Sequence, residues 1–226
     1  MTDSPCHSFT WREDRLVASR SVSRGEIVLR ERPAVVAPSG RLGETEAGHC
    51  LVCLARLDTQ SCLLCEGCGF PLCDECEGAQ SHQADCDQLA GWAATSYSPL
   101  LPHRLLQLRQ SQPSLYHDLL SLGQSGKPRH HREKVEVKTF LQHQHQVSRE
   151  EVEAVLAVLE THGVPLAPNL TGLYYLTSLL ARRRDNNCEL VTSQTRPHLL
   201  CLRATRQPNT QYRGEGRGPL ATPSTP

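Results

Sequence analysis

Eight cysteines and one histidine lie between positions 50 and 86, and their spacing is typical of metal ligands. The run reads Cys50-x2-Cys53, Cys62-x2-Cys65-x2-Cys68, Cys73-x2-Cys76 and His82-x3-Cys86. Two thiolates separated by two residues can reach the same tetrahedral ion from one tight turn, and thiolate with imidazole is a ligand set that suits zinc. Three such pairs and the closing His-x3-Cys step supply eight ligands. The segment therefore predicts a module that binds two zinc ions.

The ligands can be assigned to the two ions in two ways. Used in order along the chain, they would form two independent knuckles. Interleaved, one ion is bound by Cys50, Cys53, Cys73 and Cys76, and the other by Cys65, Cys68, His82 and Cys86. Spacing favours interleaving, because His82 and Cys86 fit one face of a helical turn and still need two ligands from elsewhere. Cys62 is a surplus thiol that could replace Cys65 or Cys68.

The predicted zinc ions are structural. Protein ligands would fill every coordination position, so no activated water is expected and no catalytic residue is assigned. The apolar residues of the segment are few, and hydrophobic burial alone would hardly fold it. Structural zinc, by contrast, contributes about 10–16 kcal/mol in small fingers.

Composition restricts the partners and the compartment. Lys plus Arg and Asp plus Glu both number 24, so the net charge is zero, whereas a general nucleic-acid binder usually carries a basic excess. The cysteine count of 11 is odd. The N-terminus has no apolar signal region, and no run approaches the roughly 18 apolar residues of a membrane helix. We therefore expect an intracellular protein of the nucleus or cytoplasm, with no membrane partner and no direct nucleic-acid contact.

The flanking sequence predicts an α+β fold. Runs at 15–20, 26–30 and 34–37, with a turn at Gly25, predict a small antiparallel sheet from about 14 to 38. Apolar periodicity after the cysteines predicts helices over 100–108, 115–122 and 135–144, and a short helix over 173–180. Ser148 and Glu151 form a capping box that predicts a helix over 149–162. Residues beyond Arg206 have no apolar period and are expected to form a disordered tail.

The order of these elements resembles the SET-and-MYND (SMYD) family. The cysteine run resembles a MYND-type zinc finger, although the family usually spaces the step from Cys73 to Cys76 one residue wider. Before it, the run that ends Gly25-Glu26-Ile27-Val28-Leu29-Arg30-Glu31-Arg32-Pro33 resembles the opening strands of a SET domain. After it, 151–164 and 172–180 resemble the helical insert and the approach to the active centre. The details look closest to divergent arthropod members.

This resemblance divides the chain into four parts. Residues 11–38 correspond to SET-like strands, 50–86 to the MYND-type finger and 99–180 to the helical insert. Residues 181–226 comprise a divergent segment without a clear pattern and the disordered tail.

The family resemblance implies an S-adenosylmethionine-dependent protein-lysine methyltransferase, but the residues that carry this activity are altered. The first turn, 11–15, lacks the family's glycine, and 181–188 stands where the family has Asn-His-Ser-Cys. Only 16 residues follow Thr210, too few for the last strands and their catalytic tyrosine. We therefore assign no cofactor-binding residue, and expect a shortened or alternatively spliced form that lacks the C-terminal part of the SET core.

Two functions follow from the resemblance. In the first, the chain is a zinc-dependent interaction module that binds proline-containing segments of transcription and chromatin regulators. In the second, it is a working methyltransferase that acts on histone or non-histone lysines with S-adenosylmethionine.

Overall fold

The computed structural model describes residues 9–12, 15–40, 48–57, 62–90, 92, 96–123, 133–167, 169–180, 187–192 and 199–205. The predicted disordered tail beyond Arg206 lies outside these residues, as does the segment 181–186 near the expected Asn-His-Ser-Cys motif. In the described part, helices are combined with small antiparallel sheets, so the predicted α+β class is confirmed.

The elements of the described residues follow one another in this order. The strands are β1 (Phe9–Arg12), β2 (Arg15–Ala18), β3 (Ile27–Glu31), β4 (Val35–Pro38), β5 (Leu63–Leu64), β6 (Pro71–Leu72), β7 (Val164–Ala167), β8 (Leu170–Leu173), β9 (Cys188–Thr192) and β10 (Leu200–Ala204). The helices are α1 (Gln80–Leu89), α2 (Leu100–Ser111), α3 (Pro113–Leu122), α4 (Glu133–His145), α5 (Arg149–His162) and α6 (Tyr175–Leu179), with a short 3-10 helix over Asp74–Cys76.

The three predicted N-terminal strands form, but they do not pair with one another in a single local sheet. Strand β2 forms a hairpin with β1, β3 pairs with β10, and β4 pairs with β8, all antiparallel. The predicted single sheet over 14–38 is therefore wrong in its pairing, because β3 and β4 find partners far along the chain. The turn before β3 is confirmed: Glu26 N donates to Ser23 O at 3.1 Å, and Gly25 has a φ of 84°.

A hairpin of β9 and β10 lies where the sequence predicted no element. The sheet order is β3–β10–β9, with Leu202 paired to Leu29 and to Leu190. Leu202 is buried with Val28 and Leu29 in one apolar cluster. Alternation in β10 was the signal for this strand, since Leu200, Leu202 and Ala204 are the buried positions.

The helical predictions agree closely with the structure. Helix α5 spans the predicted 149–162, and Ser148 Oγ accepts a hydrogen bond from Glu151 N at 3.1 Å. The short helix predicted over 173–180 is only partly right, because Leu173 ends strand β8 and α6 is limited to Tyr175–Leu179. The helices α2 to α5 share a core that includes Leu105, Leu119, Leu141, Val152 and Val155.

Glu31 connects strand β3 to the start of helix α6. Its carboxylate is 9% exposed and accepts hydrogen bonds from Leu176 N at 2.7 Å, Thr177 N at 2.8 Å and Thr177 Oγ1 at 2.7 Å. Burial raises the pKa of Glu31 even though these hydrogen bonds oppose it. The Glu31 side chain of strand β3 thereby caps the first turn of α6.

Among the described helices, none has the length and apolarity needed to cross a bilayer.

Candidate metal centre

The structure gathers the eight predicted ligand residues into two groups, and within each group the ligand atoms lie within 4.8 Å of one another. The first group consists of Cys50, Cys53, Cys73 and Cys76, and the second of Cys65, Cys68, His82 and Cys86. This is the interleaved arrangement. Each group draws ligands from two separate stretches of the chain, so neither is an independent knuckle.

Distances within the groups fit a tetrahedral ion. Cys53 Sγ lies 3.6 Å from Cys73 Sγ, and Cys65 Sγ lies 3.5 Å from Cys86 Sγ. His82 Nε2 lies 3.2 Å from Cys65 Sγ and 3.8 Å from Cys68 Sγ. A Zn–S bond of about 2.3 Å and a Zn–N bond of about 2.0 Å place tetrahedral donors roughly 3.5–3.8 Å apart. The contact of His82 with Cys65 is about 0.3 Å shorter than this range and the other three distances lie within it, so both donor sets suit zinc in type and closely in spacing.

Local turns hold the ligands of the first group. Leu54 N donates to Cys50 O at 3.0 Å, and Leu54 has a φ of 63°, so the chain reverses directly after Cys53. Cys73 immediately precedes the 3-10 helix, in which Cys76 N donates to Cys73 O at 2.9 Å. Cys50 and Cys76 are buried whereas Cys53 is exposed, so this group lies at the surface on one side.

A hairpin and a helix hold the second group. Cys65 follows β5, and its carbonyl accepts from Gly69 N at 2.8 Å to close the turn. Helix α1 places His82 and Cys86 one turn apart on the same face, which confirms the predicted helical turn. Position 67 requires a glycine, because its Cα lies so close to the second group that a Cβ there would be 2.7 Å from Cys86 Sγ.

Hydrogen bonds from the turns favour thiolates at two of these cysteines. Burial raises the pKa of the Cys50 thiol, but backbone N–H groups of Cys53, Cys73 and Val52 outweigh it and bring the pKa to about 7. Burial likewise raises the pKa of Cys65, yet the His82 side chain and the backbone N–H of Cys68 lower it to about 6. A bound cation would replace the protons of the remaining thiols.

Cys62 lies outside both groups, among the described residues. It is half-buried beside the finger's apolar cluster, and burial raises the pKa of its thiol. Cys65 and Cys68, not Cys62, contribute to the second group. Cys188 and Cys201 belong to strands β9 and β10, and Cys6 lies outside the described residues.

Two charged residues that the sequence did not single out join the finger to the helices. Asp85, between His82 and Cys86 on α1, accepts hydrogen bonds from Arg104 Nη2 at 3.3 Å and Gln107 Nε2 at 2.9 Å. Arg104 stands four residues from Leu100 and from Leu108, inside the apolar stripe of α2. A positively charged residue on the apolar face of α2 was the signal that could have revealed this contact, because helix residues four apart share a face.

Comparison with known proteins supports the predicted family. No family model matches the chain. Over 75 residues it is 31% identical to SET domain-containing protein SmydA-8, isoform A, of Drosophila melanogaster, a match covering 33% of this chain and 16% of the relative. With isoform B of that protein it is 28% identical over 93 residues, which cover 40% of this chain and 20% of the relative. The match thus spans a fifth or less of these relatives' length. Over this part of its length the chain is similar to SET domain-containing proteins of the SmydA type, in agreement with the arthropod SMYD resemblance predicted from the sequence.

Proposed function

We propose that this chain is a zinc-binding interaction module of the SMYD type, with an incomplete methyltransferase core. The observation that carries the zinc assignment is the pair of four-ligand groups. Four protein donors leave a tetrahedral ion no open position, so zinc would act as a cross-link between distant parts of the finger. Thiolate ligands must stay reduced, which suits a nuclear or cytoplasmic location.

An exposed apolar pair on the finger supports the interaction role. Leu63 and Leu64 are 40% and 64% exposed on β5, directly before Cys65. Among the described strands, β5 pairs with β6 alone and is therefore an edge strand there. An extended peptide can add to such an edge and place side chains against the leucines. A proline-containing segment of a transcription or chromatin regulator is the proposed partner, as the resemblance to MYND-type fingers implies.

The alternative function is an S-adenosylmethionine-dependent protein-lysine methyltransferase, with histone or other lysines as substrates. The hairpin of β9 and β10 beside β3 favours it, because it supplies strands within the divergent part of the chain, where the sequence predicted none. The altered first turn and the altered 181–188 segment favour the interaction module instead.

Native mass spectrometry and two binding measurements test these functions. We expect two zinc ions per chain; a folded chain without zinc would refute the zinc assignment, and one ion would refute the second site. Calorimetry with S-adenosylmethionine should give no binding, whereas clear binding would favour the methyltransferase.

A peptide titration tests the interaction surface. Leu64→Ser should weaken binding of proline-containing peptides. The matched control is Val135→Ser on α4, because Val135 is 63% exposed and lies outside the finger. Equal affinities of the two variants would refute the proposed surface.

A further inference from the structure

A single guanidinium on helix α2 contacts three separate parts of the protein. Arg104 Nη1 donates to Val36 O of strand β4 at 2.6 Å, and Nη2 donates to Leu51 O at 2.6 Å. The same Nη2 lies 3.3 Å from Asp85 Oδ2 on helix α1. The side chain is only 17% exposed. One residue thus touches a SET-like strand, the backbone beside Cys50 and the residue before Cys86.

Asp85 extends these contacts to helix α4. His103 Nε2 lies 3.6 Å from Asp85 Oδ1, and Gln107 Nε2 donates to the same oxygen at 2.9 Å. His103 is fully buried, and its Nδ1 lies 2.9 Å from His145 Nε2. The finger helix α1 is therefore connected to α2 and, through a pair of histidines, to α4.

These polar contacts differ from the apolar contacts at the same interface. Leu51, Leu89 and Leu100 are fully buried in one cluster, which attracts the finger to α2 without fixing its orientation. Hydrogen bonds are directional, and two of the three partners of Arg104, Leu51 and Asp85, directly precede or follow a metal-ligand residue. A shift of α2 would therefore move the backbone that carries a ligand of each group.

We propose that Arg104 is a positioning residue that couples both metal groups to the helical region. The coupling rests on the proposed function only in requiring that the groups bind zinc. Loss of the guanidinium leaves the Asp85 carboxylate and two carbonyls without a shared donor, and hydrogen bonds to charged groups contribute substantially to stability. Linkage is reciprocal. If zinc binding stabilises the packing of α2 against the finger, that packing raises the zinc affinity by the same free energy.

The test compares Arg104→Gln with Arg109→Gln, a change on the same helix. Arg109 is 41% exposed, and its contact with Glu151 at 3.5 Å lies away from the finger. Zinc affinity of the full chain is measured by competition with a chelator. We expect Arg104→Gln to weaken zinc binding about tenfold or more, and Arg109→Gln to leave it within about twofold.

Hydrogen exchange supplies the second readout. In the wild-type chain, chelation should release amide protection in α1 and α2 together, whereas in Arg104→Gln the protection of α2 should no longer depend on zinc. If Arg104→Gln does not fold, Arg104→Lys is measured in the same way, because a lysine keeps the charge but lacks the planar fork whose two nitrogens reach Val36 O and Leu51 O separately.

Unchanged zinc affinity in the folded Arg104 variant would overturn the coupling and leave the zinc assignment intact. A wild-type chain that binds no zinc would overturn the zinc assignment itself, and with it the coupling.

Discussion

Replacing Gly67 with alanine should weaken the second metal group selectively. A Cβ at this position would lie 2.7 Å from Cys86 Sγ and 3.8 Å from Cys65 Sγ. Ordinary packed atoms are about 3.5–4.0 Å apart, so the methyl group is roughly 1 Å too close to a ligand sulfur. Metal sites tolerate deviations of only about 0.2 Å in ligand distance, so the turn must open or Cys86 must move.

The size of the effect follows from overpacking. Inserting a methyl group into a filled space costs about 1–3 kcal/mol. If the whole cost falls on the metal-bound form, affinity at the second group decreases about 5- to 150-fold. The first group shares no ligand with the second and should keep its affinity.

Cobalt(II) substitution measures the two groups separately. The first group has four sulfur donors and the second has three sulfurs and one nitrogen, and these sets give different visible spectra. Gly78→Ala is the control, because its methyl meets no atom within 4 Å and adds only the strain of a φ of 71°. Equal losses at both groups in Gly67→Ala, or no loss at all, would refute the steric reasoning.

Three further changes test the surrounding structure. Glu31→Gln should lower the free energy of unfolding, measured by urea denaturation, by about 1–3 kcal/mol, because the amide offers one acceptor oxygen where the carboxylate offers two. The control is Glu189→Gln, at an exposed ion pair with Arg203, which should cost under about 1 kcal/mol. Burial, His103 and Arg109 lower the pKa of His145 from 6.5 to about 4, so between these pH values the unfolded chain binds a proton that the folded chain does not. Stability should therefore fall as pH decreases below 6.5, by at most about 1.4 kcal/mol per pH unit and less with solvent screening. With excess zinc present, the replacement His145→Gln should flatten this slope, and an unchanged slope would contradict the assignment to His145. Chelation of zinc should abolish amide protection over 50–86, and a finger that stays protected would contradict a structural role for the metal.

The local spacing of the ligands made the finger predictable from the sequence, whereas the contacts between distant parts of the chain could not be predicted from it. A Cys-x2-Cys turn and a His-x3-Cys helical turn bring their ligands together within one turn, so the sequence determines the geometry. The partner of β3 is β10, and no local pattern in Val28 or Leu29 indicates that Leu202 will cover them. Arg104 was overlooked for the same reason, because its acceptors lie on β4, beside Cys50 and on α1.

The apolar core of the finger changes how the metal's contribution should be understood. Apolar residues within 50–86 are few, and the sequence therefore assigned the folding energy to zinc. In the structure Leu51 and Phe70 are fully buried together with Leu89 and Leu100, and Tyr97 stacks on Phe70 at 5.7 Å. Three of these five side chains come from outside the cysteine segment.

We therefore expect zinc and the flanking chain to stabilise the finger jointly. Fully burying a leucine side chain contributes about 1.5–3 kcal/mol, so removing Leu89, Tyr97 and Leu100 with the flanking chain would cost several kcal/mol. A peptide limited to 50–86 should consequently bind zinc more weakly than the whole chain. Equal zinc affinity of the peptide and the whole chain would show that the shared core adds nothing to the metal-bound state. The proposed binding surface of the finger should accordingly be measured in the intact chain, where Leu100 of α2 completes the shared core.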